Sequence, residues 1–329
     1  MKLKGKLIMS AAALAACAAT LTSTTYAWYT SNTEVSASGV EGTSQANGEG
    51  MLLISTSGAY GSFSNKASVE IKSDNLIPVQ YTAGTDHAAP TFNAWDASTN
   101  KPSETALNIS SNSNNQSVLA FDLYFTGVKE DVGVDVYLKS LTVTRNAGAL
   151  PEKVIYGEGD GLKKPTAQGN TYTANILRTV KMAYVSSVTT EGNQAANSSS
   201  GCYDLETGDA LNTTKFSYGD TLADLTSGFN AHTYYNNVLT GSNIPVTGDD
   251  VKVAGDAITN STSVNFGTTP NSTTNGNYVK ATFYFFIDGW DIACFDAVQQ
   301  QSFKVEMEFT STEDTKLAVK FAQATASSN

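Results

Sequence analysis

Apolar and polar residues alternate along much of this 329-residue chain, the period of a strand with one face buried. The clearest run is 303–309, where Phe303, Val305, Met307 and Phe309 fall on one side and Lys304, Glu306 and Glu308 on the other. Residues 278–287 and 119–125 are strongly apolar strand candidates. Val132, Val134, Val136 and Leu138 alternate with Gly133, Asp135 and Tyr137, and 141–144 resume after a break. Further strands are expected at 51–55, 69–71, 182–188 and around Leu317, Val319 and Phe321. Just behind the amino-terminal leader, Val35, Ala37 and Gly39 begin another.

Helical periodicity is sparse. Asp291 is placed to cap a short helix through Val298, and 221–229 could form a second. Many short strands with one or two short helices predict an all-β fold, a jelly-roll-like β-sandwich. Residues 189–214 and 240–276 are rich in Ser, Thr, Asn and Gly and poor in large apolar residues. They read as long polar loops inserted into the sandwich. The expected organisation is a signal peptide at 1–27, an extended amino-terminal strand at 28–40, and a β-sandwich body at 41–329.

Charge narrows the partners. Asp and Glu number 31 against 20 Lys and Arg, a net charge of -11. Lys2, Lys4 and Lys6 all lie in the leader, so the remainder is more acidic still. Such a chain repels nucleic acid and anionic lipid surfaces. Charged residues make up only 16% and aromatic ones 10%. The low charge is filled by Ser, Thr, Asn and Gly, while the aromatics provide a core that argues against wholesale disorder.

The leader has three parts: a basic start, an apolar stretch from Leu7 to Thr20, and small residues at Thr25 and Ala27. That is a secretory signal with cleavage between Ala27 and Trp28. Its apolar stretch is shorter than the roughly 20 residues of a membrane span. Leu14-Ala15-Ala16-Cys17 also matches a bacterial lipobox, so processing at Ala27 and lipidation at Cys17 both stay open. Either route takes the body out of the cytoplasm, to the surface of a bacterium or beyond, and contact with membrane would be through the uncleaved leader alone. Two cysteines then remain, Cys202 and Cys294, enough for one disulfide if the fold brings them together.

Enzyme chemistry has little to stand on. His87 and His232 are the only histidines, and neither GxSxG nor HExxH occurs. Asp288 and Asp291 are a carboxylate pair of the kind glycosidases use, supported by residue type alone. The run Gly157-Glu158-Gly159-Asp160-Gly161 lacks the continuation of a phosphate-binding loop and reads as a turn. Glu158 with Asp160, and Asp249 with Asp250, are the oxygen-rich candidates for calcium, without EF-hand spacing. The expectation is no enzyme, no catalytic residue and no cofactor. Trp95, Trp290 and the Tyr234-Tyr235 pair could stack on surface glycans.

The junction Thr25-Tyr26-Ala27-Trp28-Tyr29-Thr30, followed by Val35-Ser36-Ala37-Ser38-Gly39-Val40, resembles the TasA/camelysin family of exported bacterial fibre and biofilm-matrix proteins. The stretch Phe285-Phe286-Ile287-Asp288-Gly289-Trp290-Asp291-Ile292-Ala293-Cys294 resembles surface proteins with similar leaders. The resemblance implies a jelly-roll fold and a secreted subunit of an extracellular filament, in which the freed front strand of one copy completes the sheet of the next. Trp28, Tyr29, Val35, Ala37, Gly39 and Val40 would be that donor strand, and the partner would be a second copy, head to tail. The rival pairing is an ordinary first strand within its own chain. The rival function is a monomeric adhesin or carbohydrate-binding module. Asp288, Gly289 and Asp291 are expected to form a structural turn, with Gly289 at positive φ.

Overall fold

The computed structural model describes residues 35–42, 52–69, 71–73, 76–96, 101–114, 116–127, 133–145, 152–155, 170–173, 176–205, 254–270, 276–289, 301–311 and 315–323. The first strands in chain order are β1 (Val35–Gly42), β2 (Leu52–Ser55), β3 (Lys66–Ala67), β4 (Ile71–Ser73), β5 (Pro78–Thr82), β6 (Thr91–Asp96) and β7 (Lys101–Pro102). The middle of the chain supplies β8 (Leu119–Gly127), β9 (Asp135–Arg145), β10 (Glu152–Ile155), β11 (Asn170–Thr173), β12 (Val180–Thr190) and β13 (Asn193–Asp204). The last are β14 (Asp256–Ala257), β15 (Asn265–Thr268), β16 (Tyr278–Asp288), β17 (Phe303–Thr310) and β18 (Ala318–Gln323). Helical structure among the described residues is limited to two 3-10 turns, Thr85–His87 and Ile176–Thr179. The fold is all-β, as the alternation predicts.

Two mixed sheets carry the sandwich. In the first, β9 pairs with β17, β17 with β1, and β1 with β3 and β4, while β15 and β18 share the other edge of β9. In the second, β14, β13, β12 and β16 follow in order. Beyond β16, β8 leads to β2, and β5 leads to β6 and β7. A separate two-stranded pair joins β10 to β11.

The inner faces meet in one aromatic core. Phe121 stacks on Phe283 with ring centroids 5.6 Å apart, and Phe266 meets Phe283 edge-on at 5.2 Å. Phe125 and Phe309, from opposite sheets, approach to 4.7 Å. These offset and edge-on arrangements suit the ring quadrupole better than face-to-face stacking. From the first sheet come Val136, Leu138, Leu141 and Val143 of β9 and the four apolar residues of β17, all buried.

The second sheet is also covered on its outer face. Val79, Phe92, Val118, Ala120, Ala183, Val185, Cys202, Ala254, Tyr284 and Phe286 form a second cluster there. This explains why 283–286 reads Phe-Tyr-Phe-Phe rather than alternating: a central strand buried on both faces needs apolar residues at both parities.

Three sequence expectations change. Residues 193–204, inside the expected loop 189–214, form β13, paired along its length to β12. Glu191 and Gly192, at φ 51 and 78, turn the chain between them, the positive values that tight hairpins favour. Inside the expected loop 240–276, Val264 and Phe266 are buried in the main core. Asp135–Arg145 is one continuous strand, where a break was expected after Leu138. A register shift between Glu308 and Phe309 absorbs the irregularity. The two expected helices, 291–298 and 221–229, lie outside the described residues.

Candidate functional site

The first strand occupies a slot inside the first sheet. Along one edge β1 runs parallel to β17, with Ala37 beside Val305 and Val40 beside Met307. Along the other it runs antiparallel to β4, where Val35 meets Ser73 and Ala37 meets Ile71, and to β3, where Val40 meets Ala67. One extra residue between Ala37 and Val40 makes a bulge at Ser38-Gly39. The bulge falls where the partner changes from β4 to β3. The slot thus has two backbone rims, and Val305, Met307, Phe309 and Ile71 beside it are buried. Of the two expected pairings for 28–40, this single chain holds the one within its own sheet, over Val35–Gly42. Ala27, Trp28 and Tyr29 lie outside the described residues.

The Asp288-Gly289 turn closes β16. Asp288 is fully buried and accepts a 2.7 Å hydrogen bond from the Ala254 N–H. The Gly289 N–H donates to the Val79 carbonyl at 3.0 Å. Gly289 is not among the glycines at positive φ, which corrects the expectation. The chain here extends the parallel pairing of Asp288 with Val79, so no left-handed residue is required. A Cβ at Gly289 would lie 3.4 Å from the Cβ of Pro78. Asp291, Trp290 and Cys294 lie outside the described residues. Cys202 carries a free, buried thiol.

Sequence reasoning missed a buried ion pair on the outer face of the second sheet. Lys181 of β12 stands directly opposite Asp204 of β13. Its ammonium donates to Asp204 Oδ1 at 2.7 Å, with the lysine side chain 0% exposed and the aspartate 16%. Burial pushes the Cys202 thiol up, and the carboxylate of Asp288 pushes it further. Desolvation likewise raises the phenols of Tyr81 and Tyr203, and takes that of Tyr284 up to about 12. The available signal was Lys181 itself, a lone cation in the otherwise apolar run Val180-Lys181-Met182-Ala183-Tyr184-Val185.

A second Lys–Asp pair lies on the same face, on β8 and β16. Asp122 takes bonds from Thr282 Oγ1 at 2.6 Å and Ser111 Oγ at 2.9 Å, and Lys280 Nζ stands 3.0 Å away. His87 lies at the surface, its Nδ1 2.8 Å from Ser200 Oγ, and holds the 84–88 turn against β13. Among the described residues no group of three or more His, Cys, Asp or Glu is placed to hold a metal ion. Glu158, Asp160, Asp249, Asp250, His232, Tyr234 and Tyr235 lie outside them, as does the side chain of Trp95.

Fold and slot together define a class: an all-β sandwich whose first described strand is seated between two neighbours, one place in from the edge of a sheet. No family model matches the chain, and comparison with curated proteins and with solved structures finds no match.

Proposed function

We propose that this chain is an exported structural subunit of the bacterial cell surface, assembling head to tail as its first strand moves from its own slot into that of the next copy. The observation that carries the reading is the seat of β1 between β17 and β4/β3. A strand there is held by two ladders, and any chain bearing the same sequence can make the same ladders. The exchange therefore costs no contacts; its balance is set by protein concentration against the effective concentration of the tethered strand. Residues 43–51 join β1 to β2 and, fully extended, reach about 30 Å, enough for the strand to leave its seat without disturbing the body. Donation in one direction leaves a free strand at one end of the assembly and a free slot at the other, so it propagates as a fibre. The secretory leader ahead of β1 and the resemblance at 25–40 point the same way. The acidic surface suits export rather than nucleic-acid binding.

Negative-stain microscopy of the chain processed at Ala27, taken to high concentration, tests this. Filaments are expected, absent from a chain lacking 28–42 and shortened by an excess of the peptide 35–42. A processed chain that stays monomeric at every concentration, or a truncated chain that still polymerises, would overturn the proposal; glycan binding by such a monomer would favour the adhesin.

A further inference from the structure

We infer that Lys181 and Asp204 are joined by an intramolecular amide bond, formed by the protein itself with the carboxyl group of Asp288 as proton relay. The inference rests on the Lys181, Asp204 and Asp288 site alone and is independent of the assembly reading.

Three strands bring the groups together. β13, β12 and β16 are consecutive neighbours in the second sheet. Lys181 lies opposite Asp204 on one side and Phe286 on the other. Asp288 is two residues beyond Phe286, hence on the same face of the sheet. Cys202, two residues before Asp204, shares that face, and the charges of Asp288, Lys181 and Asp204 all act on its thiol. The outer cluster of Val79, Phe92, Ala254 and Phe286 covers the face. Lys181 and Asp288 are both fully buried.

Burial decides the chemistry. An ammonium and a carboxylate withdrawn from water lose hydration that their mutual attraction repays only in part. Condensation begins when the ammonium passes a proton to its carboxylate partner, giving a neutral amine against a neutral acid. The Nζ lone pair is then free to attack Asp204 Cγ, which lies next to the oxygen already 2.7 Å away. The C–N bond forms and the C–OH bond breaks. The carboxylate of Asp288 takes a proton from the nitrogen and hands it to the departing hydroxyl. Amine and acid become amide and water; nothing is oxidised or reduced, and Asp288 ends as it began. The partly exposed Asp204 side lets the water out. The Ala254 N–H fixes one oxygen of Asp288 in place. At the Lys280–Asp122 pair, by contrast, two hydroxyls bond to the carboxylate and the lysine is 24% exposed. That pair serves as an internal control.

The test is mass spectrometry of the purified, denatured chain. The wild type should be lighter than its sequence by one water. A protease cutting after Glu191 should leave the halves bearing Lys181 and Asp204 attached to each other, and trypsin should fail to cut after Lys181. Lys181→Met and Asp204→Ala should restore the full mass, and Asp288→Asn should restore it while the near-native circular dichroism is kept. A wild-type chain of full mass whose halves separate after Glu191 would overturn the inference, whatever the variants do. So would a water loss that persists in Lys181→Met.

Discussion

The two sheets of the sandwich are built on different terms. The second has β8, β16 and β12 at its centre, joined by long antiparallel ladders. It buries side chains on both faces, in the main core and under the outer cluster. The first sheet has its ladder β9–β17 at the centre, but its next position is filled by the first strand of the chain, paired with one of the last. A pairing this distant in sequence must repay the closure of a long loop, and β1 is held in it by ladders along both of its edges. The contrast separates a sheet whose central strands are buried on both faces from one that is completed by the first described strand.

The largest expected effect comes from removing that strand. In a chain lacking residues 28–42, amide exchange in β17 and β4 should rise toward that of exposed edges, while β8, β16 and β12 stay protected. Added peptide 35–42 should restore the protection. If both sheets lose protection together, the contrast is wrong and the body folds as one cooperative unit.

Next comes the core of the second sheet. Phe283 is fully buried and packs against Phe121, Phe266 and Phe309. Phe283→Ala should cost about 3–5 kcal/mol by denaturant titration. It should do so equally with and without the first strand. A loss confined to the full-length chain would mean that the second sheet depends on the first.

The smallest effect is the alkaline one. The phenol of Tyr284, on the outer face of the second sheet, is pushed up to about 12 by burial. Below pH 10 it is neutral in both folded and unfolded chains. Between pH 10 and about 12 the unfolded chain gives up this proton and the folded one keeps it, so the unfolded state gains and stability falls as pH rises. Melting temperature measured across that window should fall less steeply in Tyr284→Phe than in the wild type. An unchanged slope would place Tyr284 in water.

Sequence pattern made some of this legible and not the rest. The strands at Phe303–Thr310 and Leu119–Gly127 were readable because one face of each must be apolar. β13 was not, since Asn193–Asp204 is mostly Asn, Ala, Ser and Gly. It holds its place by backbone bonds to β12, and the backbone leaves no compositional trace. Phe266 was hidden by its polar neighbours. Lys181 was visible as a letter, but its burial depends on β13 and the outer cluster, neither of which the pattern revealed. The seat of the first strand was readable only as a choice between two pairings, because intra- and intermolecular ladders use the same side chains.

That choice is also what one measurement decides most directly. Ala37 and Val305 are neighbours across the β1–β17 ladder, close enough for a disulfide between replacement cysteines. In chains carrying Ala37→Cys and Val305→Cys, processed at Ala27, concentrated and oxidised, strand exchange predicts a covalent ladder on a non-reducing gel. The ladder should collapse on reduction and be missing from either single variant. A single band of closed monomers, formed at concentrations where the wild type assembles, would contradict the account.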